Sequence, residues 1–132
     1  MPSRAFLHAF AFFGFLFLWT VALLLPVPKE TASEALGGER GMFFFGKALH
    51  VSAYAFLTLL GGSQTLTRRQ RALILGLLSF HGFATEFFQQ FVERTASWRD
   101  VGLDHIGILL GLLIGWRWWQ CLCHKAGEPM SQ

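Results

Sequence analysis

Long apolar runs separated by short polar breaks make up nearly the whole chain. Four runs stand out, at residues 5–25, 42–62, 72–92 and 101–121, each 21 residues long. As helix, such a run extends about 32 Å, enough for a hydrocarbon core of about 30 Å. No stretch alternates with the period of two expected of a half-buried strand, and no internal repeat is present. The pattern predicts an all-α membrane protein, a four-transmembrane-helix bundle forming one domain over residues 1–132. The first run follows Arg4, as a signal peptide would. It is longer than the 7–15-residue core of such peptides, and Pro26-Val27-Pro28 follows in place of a small-x-small site. It is expected to stay as a membrane helix.

Composition agrees with that class. Hydrophobic residues make up 53% of the chain and charged residues only 14%, less charge than a soluble domain carries. The net charge of +3 comes without a basic arm, so nucleic acid is not an expected partner. Membrane lipids are. Cys121 and Cys123 stand two apart, and on a helix they point in different directions, so a mutual disulfide is not expected. Trp19, Trp98, Trp116, Trp118 and Trp119 are expected near the membrane interfaces.

Lysine and arginine near the span ends set orientation. Arg4, the short connection with Arg68, Arg69 and Arg71, and the last segment with Arg117 and Lys125 fall on one side of a four-span chain. The positive-inside rule places that side, and both termini, in the cytoplasm. The first and third connections then face outward. Their Lys29, Arg40, Arg94 and Arg99 are offset by Glu30, Glu34, Glu39 and Glu93.

This threading gathers the ionisable residues of the spans. A charged side chain at mid-bilayer costs about 2.5–3.5 kcal/mol on insertion scales, so such residues face protein or water and mark candidate sites. Lys47, His50, Glu86 and Asp104 all fall within roughly 5–12 Å of the outer surface by helical rise. Lys47, His50 and Tyr54 share one face of the second span, at i, i+3 and i+7. Glu86, Gln89 (or Gln90) and Glu93 form a similar face on the third. On the fourth, Asp100 and Asp104 lie in line with Gly107, Gly111 and Gly115, a small-residue stripe that lets helix backbones approach. The acids should point inward.

These residue types suggest specific chemistry. His50, Glu86 and Asp104 are the candidate catalytic residues. A histidine changes charge near neutrality, so His50 with Glu86 could move a proton while Asp104 orients His50 or Lys47. Lys47 and Arg94 are suited to holding an anionic group. With Tyr54, Gln89 and Asp100 they complete the candidate ligand-binding set, although Arg94 and Asp100 could instead pair to shape the loop. A metal held by His50, Glu86 and Asp104 is conceivable, but no spacing motif asks for one, and no metal or other cofactor is assigned. His81, next to Gly82 in the third span, is placed to bond a neighbouring helix. His105 points about 100° away from Asp104.

The ordered set Lys47-x-x-His50-x-x-x-Tyr54, Glu86-x-x-Gln89 and Arg94-x-x-Ser97-x-x-Asp100-x-x-x-Asp104-x-x-Gly107-x-x-x-Gly111 resembles the VanZ-like family. The resemblance spans about residues 42 to 111. The family usually has Asp-Lys where this chain has Gly46-Lys47, and commonly Asn where Asp104 stands. The resemblance implies a small polytopic protein of the bacterial cell envelope, in a family whose founding member is associated with resistance to the glycopeptide antibiotic teicoplanin. It brings no defined reaction.

The expectation is an inner-membrane protein whose outward-facing polar pocket binds an anionic lipid-linked or cell-wall-related molecule, such as an envelope precursor. Whether it also processes that molecule is open in the sequence, as is homo-oligomer formation. The alternatives are a non-catalytic module whose polar residues lock the bundle and, less favoured, an ion or solute carrier. A carrier needs a polar route through both leaflets. The inner halves of the second and fourth spans offer little beyond Thr58 and Arg117.

Overall fold

Each apolar run forms a helix, and local capping decides where each one begins and ends. The computed structural model describes residues 3–25, 34–64, 66–92 and 97–125. Its four long helices are α1 (Arg4–Leu24), α2 (Glu39–Gly62), α3 (Arg68–Gln89) and α4 (Trp98–Lys125). There is no strand among the described residues. Ser3 caps α1, its hydroxyl accepting from the Phe6 N–H at 3.2 Å. Leu25 is already extended, as a residue before proline prefers.

The third helix is displaced from its apolar run, starting four residues early and ending three early. The cause is a capping box. The Thr67 hydroxyl accepts from the Gln70 N–H at 3.3 Å, and the Gln70 side chain accepts from the Thr67 N–H at 2.9 Å. Two orphan donors are satisfied reciprocally, so Arg68, Arg69 and Arg71 lie in the first turn rather than in a loop. At the other helix starts, α2 follows two glycines of positive φ, Gly37 and Gly38, and α4 starts three residues before its run.

Among the described residues, three helices are long and apolar enough to cross a membrane: Ala5–Leu24, α2 and α3. The outward surface is apolar as well. Phe10, Phe80 and Phe91 are each about 70% exposed, in keeping with a bundle that turns aromatic side chains toward lipid. The interior holds Phe12, Tyr54, Leu57, Leu78 and Ile108.

The most extensive packing is α2 against α4, and glycines permit it. A Cβ at Gly107 would fall 2.5 Å from the Val51 carbonyl oxygen, and one at Gly111 would fall 2.7 Å from that of Ala55. Gly115 has another use. It clears room for the ring of Trp119 on its own helix, and Gly62 of α2 lies against the same ring. One tryptophan thus packs inward and a second is half-buried. Trp119 is buried, and Trp19 sets its ring edge-on to His50 at 5.8 Å. Arg71 is buried too, donating to the Trp119 carbonyl at 2.7 Å and lying over the indole ring.

Candidate functional site

The ionisable residues of three helices meet at the end of the bundle where α3 finishes and α4 begins. From α2 come Lys47 and His50, from α3 Glu86, and from α4 Asp100 and Asp104. His50, Glu86, Asp100 and Asp104 are buried, and Asp104 is wholly so. Helical spacing accounts for this: Lys47 and His50 lie one turn apart on α2, as do Asp100 and Asp104 on α4. The close α2–α4 approach set by Gly107 and Gly111 brings the two pairs opposite each other.

The partners differ in part from those expected. His50 pairs with Asp104, its Nδ1 lying 2.7 Å from Asp104 Oδ1. The carboxylate can only accept, so Nδ1 carries the proton. In the neutral ring Nε2 then keeps its lone pair. Lys47 Nζ donates to Asp100 Oδ1 as an ion pair. Asp100 therefore has Lys47 as a partner, and Arg94, its other expected partner, lies outside the described residues. Glu86 does not bond His50. Its Oε2 accepts the backbone N–H of Ser97 at 2.7 Å, which holds the start of α4 against the end of α3.

Two carboxylate oxygens in the cluster, Glu86 Oε1 and Asp104 Oδ2, are buried without a hydrogen-bond partner. One ring nitrogen of His50 and one oxygen each of Glu86 and Asp100 lie within 4.8 Å of one another. Asp104, expected to be a ligand in any such trio, stands behind His50 instead. Counting charges, three carboxylates meet one ammonium and one imidazole.

Tyr54 and Gln89 have other places. The Tyr54 hydroxyl lies 2.7 Å from His81 Nδ1, and His81 Nε2 lies 2.8 Å from the Thr20 hydroxyl. Thr20 gives its only proton to the Leu16 carbonyl, so it must accept from His81 Nε2–H, and Tyr54 then donates to Nδ1. This run ties α1, α2 and α3 together below the charged cluster. His81 thus bonds two neighbouring helices, a role its mid-span position suggested. Gln89 is buried and donates to the Leu23 carbonyl of α1 at 3.1 Å. His105 turns to the side, between the Val101 carbonyl and the Ser79 hydroxyl, each at 2.7 Å. Sequence reasoning passed over Thr20 and did not join Ser79 to His105, because single hydroxyls in an apolar run show no periodic signal.

Glu86, Phe87, Gln90, Ser97 and Trp98 line a pocket of about 30 Å³, room for a water molecule or two. What the arrangement offers chemically is an imidazole of fixed tautomer, facing carboxylates in a site shielded from water. Such a ring can exchange a proton or coordinate a metal. Compared with known proteins, the chain matches no family model, no curated protein and no solved structure.

Proposed function

We propose that this chain is a four-span, VanZ-like protein of the bacterial inner membrane with both termini cytoplasmic. Its polar cluster, facing the outer leaflet, binds the anionic head of a lipid-linked or cell-wall-related envelope molecule. The observation that carries the reading is the meeting of Lys47, His50, Glu86, Asp100 and Asp104 from three helices at one end of the bundle. Ionisable groups gathered in a membrane segment mark a site by default. Lys47 sits at the rim with its side chain 22% exposed, where its ammonium can turn from Asp100 to an incoming phosphate or carboxylate. Arg94, three residues before Ser97, supplies the second cation. The residue pattern over positions 42–111 supports the envelope setting, and glycopeptide resistance is the phenotype in which to seek an effect.

The test is lipid identification by native mass spectrometry on the purified full chain, repeated with Lys47→Ala and Arg94→Ala. A retained phospholipid or polyprenyl species that both variants lose is the expected result. A chain that retains no lipid, or the same lipid in both variants, would sink the reading.

A second reading has an observation of its own. Lys47 with Asp100, His50 with Asp104, and Glu86 with the Ser97 N–H are each paired within the bundle, as interhelical locks would be. On this account the substitutions lower thermal stability in detergent and leave retained lipid unchanged in the folded fraction.

A further inference from the structure

We infer that His50, Glu86 and Asp100 form a divalent-cation site, with Asp104 as the positioning residue behind His50 and Lys47 as the ammonium that occupies it in the ion's place. The three potential ligands come from three different helices, and one ring nitrogen of His50 and one carboxylate oxygen each of Glu86 and Asp100 already lie within 4.8 Å of one another. A first-row ion with bonds of about 2.0–2.2 Å needs donors about 3.3 Å apart, so side-chain rotation of about an ångström completes the set.

Each member is prepared for the task. With the Nδ1 proton given to Asp104, His50 presents Nε2 as its ligating atom. Metal-bound histidines characteristically hand their other N–H to a carboxylate. Glu86 uses only Oε2, on the Ser97 N–H; its Oε1 is buried without a partner in a residue 4% exposed. An oxygen so placed can take up a cation. Asp100 already holds one, the Lys47 ammonium, whose partly exposed side chain can swing outward.

Charge gives a second reason. The three carboxylates outweigh the Lys47 ammonium by two charges, and a divalent ion would offset that excess. One imidazole and two carboxylates also leave coordination positions open, which phosphate oxygens can fill. The role of the ion therefore rests on the lipid-head reading, but its binding does not.

Binding is read on the full chain in phosphatidylcholine nanodiscs, with Mn²⁺ or Zn²⁺ as the sole added ligand. The expected result is one saturable ion per chain. Glu86→Gln and Asp100→Asn should each weaken uptake at least tenfold, while Lys47→Met tightens it severalfold by removing the competitor. Pulsed electron paramagnetic resonance of the wild-type Mn²⁺ complex should show coupling to an imidazole nitrogen, a readout that depends on no variant folding. The proposal is overturned by any of four results: no saturable uptake of either ion, uptake unchanged in both carboxylate variants, weaker uptake in Lys47→Met, or no nitrogen coupling. Because no envelope lipid is present, failure here leaves the lipid-identification result standing, and the converse also holds.

Discussion

His50 takes its meaning from a carboxylate 54 positions away. The Asp104 contact fixes which ring nitrogen carries the proton, and that in turn fixes what His50 can do toward Glu86 and Asp100. Asp104 is wholly buried with Oδ2 unpartnered, so replacing it tests the pair directly. Asp104→Leu removes the acceptor and leaves a buried imidazole N–H unsatisfied, at a cost of about 1–3 kcal/mol. Asp104→Asn keeps an acceptor oxygen of the same shape and should cost less than half as much. Unfolding in mild detergent, followed by circular dichroism, measures both. Equal losses for Asn and Leu would mean that the hydrogen bond is not what holds His50.

At the scale of elements, α2 and α4 make the pairing possible. The glycine stripe on α4 was legible in the sequence, because spacing by four is a local property of one helix. What each glycine meets was not. Gly107 and Gly111 lie against the carbonyls of Val51 and Ala55, whereas Gly115 lies against Trp119. Gly107→Ala and Gly111→Ala should each destabilise the bundle by about 1–3 kcal/mol, the usual range for overpacking. A Cβ at Gly76 would meet nothing within 4 Å. There, alanine should be neutral or stabilising by up to about 1 kcal/mol through helix propensity. Thermal midpoints of the three variants against wild type decide it, and a Gly107→Ala protein as stable as Gly76→Ala would remove the close-approach argument. The α2–α4 spacing also sets the site, so both tight-glycine variants should loosen the Lys47–Asp100 and His50–Asp104 contacts together.

For the whole molecule, orientation and depth decide what the cluster can reach. The proposed topology puts the exposed thiol of Cys121 at the cytoplasmic face. In intact spheroplasts a membrane-impermeant maleimide should leave it unlabelled, while a permeant one labels it. Labelling by the impermeant reagent would invert the topology and turn the polar cluster toward the cytoplasm. The run from Tyr54 through His81 to Thr20 ends at the Leu16 carbonyl. Polar contacts thus extend below the cluster as a lock among α1, α2 and α3, rather than as further ionised groups.

Hydropathy and helical spacing, both local properties, were enough to determine the four helices and the faces carrying Lys47, His50, Glu86, Asp100 and Asp104. They also showed that these residues could share one depth. Tertiary structure decided the partners. Asp100 and Asp104 lie one turn apart on the same stripe, so either could have served His50 or Lys47. A shift of one helical turn between α2 and α4 would set Asp100 opposite His50, or Asp104 opposite Lys47. That offset is fixed by carbonyls seated on Gly107 and Gly111 and by Trp119 wedged beside Gly62, contacts between distant residues to which the pattern along a single helix is blind.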